Sequence, residues 1–487
     1  MGNREKPAYG DALPIAALAT PRSASALALI RLSGTGSLEL LASLFSRPDK
    51  LLRSAGNRVI HGWLLKPQTE RTGAAAEDRL DEVLIACYRS PQSYTGEDGA
   101  DITCHGGAAS SRAILEALGR IGFREALPGE FTFRAFMRGK LDLTRAEAVM
   151  ELVAAKTDQG RARAVGRLSG VLEAEIHSVK QRLVQVLAAT ELFLDYSEDE
   201  AGLACSEEEA GRLPDQAGAE EALMRLERLA ASYRRERLYQ DGALAVIAGR
   251  PNAGKSSLFN LLLREERAIV TDIPGTTRDW IEAWIALEGI PIRLADTAGL
   301  HDSEDPVERL GITRSRELLE AADLVFYLLD GSAGLTPEDR DFFSAWKKTE
   351  PPKRPPLFLL WNKADLIPLP ASLAAGTELA PACLVLGISA KTGEGIPALM
   401  EAAAAALETA AAAPEGPAAL GSPRQKERID AARNAVAEAL ALSKNAAPLD
   451  IIAPLLREGV NALGELSGEV STAEILETMF SQFCVGK

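Results

Sequence analysis

Over the first hundred or so residues, apolar positions alternate with polar ones or fall in short runs. Examples are "ALALIRLSG" (26–34), "NRVIHGWLL" (57–65) and "DEVLIACYRS" (81–90). Turn-rich stretches separate them, which predicts strands in a mixed α/β domain spanning about 11–125. The period then changes. "LTRAEAVMELVAAKTD" (143–158) sets Thr144 and Glu147 at capping-box spacing and predicts a helix start. Leu168, Val171, Leu172, Ile176, Val179, Leu183, Val186 and Leu187 recur at steps of three and four, predicting a long amphipathic helix. Another helical stretch, "EEALMRLERLAASYRRERLYQDG", runs to about residue 242.

Strands alternate with helices in the next part: "ALAVIAG" (243–249), the hairpin-like "WIEAWIALEGIPIRLAD" (280–296), "DLVFYLLD" (323–330), "PLFLLWNK" (356–363) and "CLVLGIS" (383–389). This βα rhythm predicts a parallel sheet. It stops at the linker-like "AAAAPEGPAALGSP" (410–423), after which helical patterning returns to the end. Helical segments flanking an α/β module suggest one helical domain into which the module is inserted. The expected domains are 1–125, 126–241 and 412–487 (the two helical parts), and 242–411 (the inserted α/β module).

Bulk properties narrow the picture. With 487 residues the chain is too long for one core, and 46% apolar with 25% charged residues is ordinary for a folded protein. The net charge of −15 argues against indiscriminate coating of nucleic acid, though not against a local basic patch. Five scattered cysteines form neither a disulfide framework nor a paired metal spacing, which points to a reducing compartment. No apolar run approaches the roughly 18–20 residues needed to span a bilayer. A cytoplasmic location with no membrane attachment is expected.

"GRPNAGKSS" (249–257) fits G-x-x-x-x-G-K-[ST], after an apolar strand and before a helical run. Gly249 and Gly254 let the backbone curl its N–H groups toward phosphate, Lys255 supplies a cation, and Ser256 offers a hydroxyl to Mg²⁺. Asp296 of "DTAG" ends a strand where it can hold Mg²⁺ through water, and Gly299 can approach the γ-phosphate. In "NKAD" (362–365), Asp365 can accept two N–H bonds from a guanine edge; such a site rejects an analogue lacking them by roughly 10,000-fold. "SAK" (389–391) follows the next strand and would brace the base. In this order the segments predict a GTP site.

One residue breaks the pattern. Leu300 stands where many such domains carry the glutamine that orients the attacking water. The side-chain oxygen of Asn252 is placed to ligate a monovalent cation beside the phosphates, with backbone carbonyls near Thr271 and Ile273, while Thr277 is a candidate Mg²⁺ ligand. Glu308 is one candidate for orienting water, with Asp302, Glu304 and Asp305 as competitors.

From about residue 11 to the end, the chain resembles the tRNA modification GTPase MnmE (TrmE) family. The motifs that carry the resemblance are "SYTGEDGADITCHGG" (93–107), "PGEFTFRAFMRGKLDLTRAEAV" (128–149), "GRPNAGKSSLFN", "IVTDIPGTTRD", "DTAGL" and the terminal "FCVGK" (483–487). The resemblance implies an N-terminal tetrahydrofolate-binding-like domain that forms a homodimer, a discontinuous helical domain, and an inserted Ras-like P-loop GTPase domain.

By position, the implied GTP contacts begin with Asn252, Ala253, Gly254, Lys255, Ser256 and Ser257. They continue through Thr271, Asp272, Ile273, Pro274, Gly275, Thr276 and Thr277, then Asp296, Thr297, Ala298 and Gly299. Asn362, Lys363, Ala364 and Asp365 with Ser389, Ala390 and Lys391 complete the set. Ser256 and Thr277 fall on the Mg²⁺ ligands, and Asn252, Thr271, Ile273 and Thr276 on those of an activating K⁺. Glu308, nine residues beyond Gly299, falls on the water-orienting glutamate.

Members work with a flavoprotein partner, MnmG, in a heterotetramer. They add an aminomethyl or carboxymethylaminomethyl group at carbon five of the wobble uridine of certain tRNAs, using formyl- or methylene-tetrahydrofolate. Arg31, Glu97, Lys140 and Lys487 fall at folate-contacting positions, and Cys484 lies in the terminal motif, either near the folate or as a buried small hydrophobe. The chain departs from the family where "PRSASALALIRLSG" replaces a glycine-rich stretch and where Gln425 replaces the usual histidine. The other reading of these motifs is a regulatory GTPase switch in ribosome or RNA metabolism. The N-terminal signature and the "FCVGK" ending favour the modification enzyme.

Overall fold

The computed structural model describes residues 9, 13–74, 76–199, 212–265, 282–296, 317–348, 355–374, 383–412, 416–469 and 473–486. The chain forms two compact units, one of residues 1–150 with 457–487 and one of residues 151–456.

The first unit is built on a six-stranded sheet of order β3-β4-β5-β2-β1-β6. Its strands are β1 (Ile15–Leu18), β2 (Leu27–Ser33), β3 (Arg58–Leu65), β4 (Arg79–Tyr88), β5 (Gly99–His105) and β6 (Arg124–Glu125). All pairings are antiparallel except β1 with β6. The alternation in β2 puts Ala28, Ile30 and Leu32 into the core with Ile85 and Ile102. Leu38 and Leu41 of helix Ser37–Leu44, with Ile114 and Leu118 of helix Ala108–Arg120, cover them. Arg31 and Ser33 therefore lie on the other face.

The end of the chain packs onto this same unit. Phe480 of helix Ala473–Phe480 is fully buried, its ring 5.4 Å from Phe133 and 5.2 Å from Phe483. The Gly129 N–H donates to the Cys484 carbonyl at 3.2 Å. The helix anticipated at Thr144 starts earlier, at Leu143. Its cap is Asp142, whose Oδ1 accepts from the N–H groups of Thr144 (2.7 Å) and Arg145 (3.1 Å). A carboxylate at that position satisfies two first-turn donors and complements the positive helix end, so Thr144 is inside the helix and buried.

In the second unit, the anticipated long amphipathic helix is two helices, Asp158–Leu168 and Val171–Asp199. Gly170, at φ 91°, ends the first by donating to the Arg167 carbonyl at 3.0 Å. Leu172, Ile176, Val179, Leu183 and Val186 are buried as their spacing predicts, while Val171 is exposed. Helix Gln216–Gln240 is tied to helix Pro423–Lys444 and its approach: Leu420 N–H donates to Ser232 Oγ at 3.1 Å and Leu213 N–H to Ser443 Oγ at 2.9 Å.

Gln425 also finds its reason here. It is fully buried; its N–H donates to Ser422 Oγ at 3.2 Å and its Oε1 accepts from Gly421 N–H at 2.7 Å. That is a capping arrangement for the helix that starts at Pro423.

The second sheet has the order β12-β11-β10-β7-β9-β8. Its strands are β7 (Ala243–Gly249), β8 (Glu282–Leu287), β9 (Ile290–Asp296), β10 (Leu324–Asp330), β11 (Leu357–Asn362) and β12 (Leu384–Gly387). Only β8 runs antiparallel, joined to β9 by Glu288 (φ 47°) and Gly289 (φ 83°). Both residues are left-handed, as a tight two-residue hairpin turn requires. Strands β7, β10 and β11 are apolar up to their carboxyl ends, where β10 closes on Asp330 and β11 on Asn362, because helices cover both faces. Leu258 and Leu262 of helix Lys255–Glu265 join Leu399 and Leu407 of helix Ile396–Ala410 on one side, and Phe343 of helix Pro337–Lys348 lies on the other. Among the described residues, no helix is long and apolar enough to cross a membrane.

Candidate functional site

The predicted nucleotide motifs lie at the carboxyl ends of β7, β9, β11 and β12, which is where open α/β sheets place ligands. The loop after β7 needs its glycines. A Cβ on Gly249 (φ 138°) would lie 2.5 Å from the Leu328 carbonyl oxygen, and one on Gly254 (φ 98°) 2.2 Å from Asn362 Nδ2. Asn252, at the exposed crest, has φ 63°, a left-handed conformation that asparagine tolerates better than most residues. Its side-chain amide has no hydrogen-bond partner among the described residues.

Lys255 is almost wholly buried, and its Nζ donates to the carbonyls of Gly249 (2.9 Å) and Arg250 (2.8 Å). Burial pushes its pKa down, against the pull of the Asp296 carboxylate. A buried ammonium held by neutral carbonyls is a cation prepared for an anion, and a polyphosphate supplies one. Ser256 Oγ donates to Asp296 Oδ2 at 3.1 Å. That hydroxyl and carboxylate form the hard oxygen set that suits Mg²⁺. Ser257 is exposed beside them and Ala253 is buried beneath the loop.

Asn362 joins three of the motifs. Its buried amide donates from Nδ2 to the Ala253 carbonyl (2.7 Å) and accepts at Oδ1 from the Ala390 N–H (2.9 Å). Lys363, at φ 65°, reaches Asp330 Oδ2 at 2.7 Å and Ser332 Oγ at 3.4 Å. Burial works against the charge on Asp330, but the Lys363 and Ser332 bonds prevail and hold its pKa low. Ala364 N–H donates to the Ile388 carbonyl at 3.0 Å, which leaves Asp365 exposed, with no bonded partner among the described residues. Ser389 is fully buried and accepts from Thr392 N–H at 3.2 Å; Lys391 is exposed.

The sequence reading missed Asp330, whose position at the end of β10 was the available signal. Thr271 through Thr277, Thr297, Ala298, Gly299, Leu300, Glu308 and Lys487 lie outside the described residues.

In the first unit, Arg31 forks onto Asp101, Nε to Oδ1 at 3.0 Å and Nη2 to Oδ2 at 3.3 Å. Its Nη1 reaches the Gly486 carbonyl at 3.4 Å, so the structure brings Arg31 to the terminal motif. Glu97 is buried and engaged through both oxygens: Arg138 binds Oε1 at 3.0 Å, while Ser33 (2.8 Å) and Arg134 (3.1 Å) bind Oε2. Arg134 also bonds the fully buried Glu130 at 3.0 Å. Lys140 donates to the Pro91 carbonyl at 3.0 Å and lies along the turn at Gly96. Cys484 is exposed, not a buried small hydrophobe, because its backbone carbonyl rather than its thiol makes the inward contact. Motif reading had not singled out Arg134 and Arg138, although both lie in "FRAFMRGK" (133–140).

A family model described as the MnmE helical domain matches residues 143–484, and one described as the GTP-binding protein TrmE N-terminus matches residues 14–140. The chain is 41% identical over 498 aligned positions to a tRNA modification GTPase MnmE of Treponema denticola, covering 99% of each protein. It is 42% identical over 477 positions to that of Symbiobacterium thermophilum, covering 97% of this chain and 99% of the relative. For that of Syntrophus aciditrophicus the identity is 39% over 480 positions, with the same coverage. Both models and full-length relatives thus agree with the loops assembled on Asn362, and the chain belongs to the tRNA modification GTPase MnmE (TrmE) family.

Proposed function

We propose that this chain is a potassium-activated GTPase that acts with a flavoprotein of the MnmG kind. Together they modify carbon five of the wobble uridine in tRNA with a one-carbon unit from formyl- or methylene-tetrahydrofolate. The observation that carries this reading is the junction on Asn362, one buried side chain holding the phosphate loop and the base-bracing loop together. Lys255 holds the outer phosphates and Asp365 reads guanine. Ser256 and Thr277 hold Mg²⁺, with Asp296 reaching it through water; Asn252, Thr271, Ile273 and Thr276 hold K⁺. The two ions supply positive charge where negative charge builds between the outer phosphates. Glu308 orients water in place of the glutamine that Leu300 replaces.

Arg31, Glu97, Lys140 and Lys487 receive the folate. A carboxylate fixed between Arg134 and Arg138 is a rigid acceptor for pterin N–H groups, which supports that assignment. The protein works as a cytoplasmic homodimer within a heterotetramer, with domain boundaries near 125, 241 and 411. GTP turnover in potassium against sodium tests the ion assignment, and equal rates with an unchanged response in Asn252→Ala would refute it. Mass spectrometry of wobble uridine in cells with and without the protein tests the modification. An unaltered nucleoside profile would defeat it.

A further inference from the structure

Helices Gln216–Gln240 and Pro423–Lys444 border an open cavity of about 610 Å³, away from the nucleotide loops. A second cavity of about 280 Å³ shares Arg234 and Arg237 with it. Spacing of seven and three along the first helix sets Glu227, Arg234 and Arg237 on one face, and spacing of seven along the other sets Lys426 and Arg433 on one face. Four cations therefore border the larger space, with Glu227 the single carboxylate on its wall among the described residues.

The partners of these cations sit off the wall. Asp430 pairs with Lys426 and, at 3.1 Å, with Arg433; Asp241 lies 3.5 Å from Arg237. Arg234 is exposed and has no ion-pair partner among the described residues. In a chain of net charge −15, four cations gathered on one cleft oppose the average field of the molecule. The nucleotide and folate assignments use none of them. Guanidinium forks match phosphate oxygens, and the polar wall residues all keep access to solvent, which suits contact with a backbone rather than the reading of a base.

We propose that this cleft docks the phosphodiester backbone of tRNA. The choice of tRNA rests on the modification reading above; the cationic cleft does not. The test is fluorescence anisotropy of a labelled full-length tRNA transcript against the intact protein across a salt series. It compares the wild type with Arg234→Ala/Arg237→Ala and Arg234→Lys/Arg237→Lys. Removing one cation that neutralises a phosphate weakens binding roughly fivefold at ~0.15 M salt, so the double alanine variant binds roughly 25-fold more weakly. Its slope of log affinity against log salt is shallower by about two. The lysine variant restores most of the affinity, and GTP turnover without tRNA is unchanged in both. Wild-type binding with an equal affinity and slope in the alanine variant overturns the cleft alone and leaves the modification reading standing. Absence of tRNA binding by the wild type likewise overturns the cleft, while the modification reading stands or falls on the nucleoside profile.

Discussion

Replacing Asn362 by alanine removes a side chain that is 2% exposed and bonded at both ends. The Ala253 carbonyl loses a donor at 2.7 Å and the Ala390 N–H loses an acceptor at 2.9 Å. A buried group left without its partner costs about 1–3 kcal/mol, so two cost roughly 2–4 kcal/mol after partial relief by water. The strain falls on the phosphate loop and the base-bracing loop, which then hold their bound geometry for only part of the time. A cost of about 2–3 kcal/mol carried into binding weakens GTP roughly 30–150-fold. Asn362→Asp separates the two bonds: it keeps the acceptor for Ala390 and sets a carboxylate oxygen against the Ala253 carbonyl. Titration with a fluorescent guanine nucleotide reads the affinity, and circular dichroism confirms that the sheet remains. Affinity within twofold of wild type in Asn362→Ala would refute the idea that this side chain holds the site together.

Glu308→Ala is expected to keep GTP affinity and lose turnover by at least 100-fold in a phosphate-release assay; surviving turnover would move the role to Asp302, Glu304 or Asp305. Arg134→Ala strips Glu97 and Glu130 of a shared buried partner and should cost about 3–5 kcal/mol in urea unfolding, with less than 1 kcal/mol refuting the network. The hydrogen bond from His105 to Asp81, with the Asp81 charge, raises the imidazole pKa. The Asp81 carboxyl is lowered: burial raises it, but the Ser110 and His105 bonds outweigh burial. The pair therefore stabilises fully between the ordinary aspartate and histidine values, fading as pH rises through the raised imidazole pKa or falls through the lowered carboxyl pKa. An NMR titration should place the His105 midpoint above that of an ordinary histidine side chain, and Asp81→Asn should bring it down; an unmoved midpoint would refute the coupling.

Elements whose pattern is local were legible in the sequence. The runs at β7, β10 and β11 read as strands because burial on both faces leaves no polar position before their last residues, and "GRPNAGKSS" read as a phosphate loop because its glycines are needed by the backbone itself. The helix break at Gly170 was hidden because the apolar spacing runs on through it, and a period cannot register one residue turned left-handed. The cap at Asp142 was hidden for a related reason. Thr144 and Glu147 have the right spacing, but a carboxylate two residues earlier competes better for the same N–H groups.

What stayed illegible at the sites is the support behind the motif residues, because it comes from distant parts of the chain. Lys363 belongs to a recognisable tetrapeptide, yet its ammonium is held by Asp330, 33 positions away at the end of another strand. Glu97 read as a candidate ligand group, and an isolated carboxylate in that signature would be mobile and hydrated. The fold instead clamps both its oxygens with Arg134 and Arg138 from the helix Glu130–Met137 and the residue after it. Clamping fixes the direction of its remaining lone pairs, so the pterin contact proposed above would not have to order the side chain. Those two arginines therefore fix where the carboxylate points, and a motif read for candidate ligand groups leaves them out.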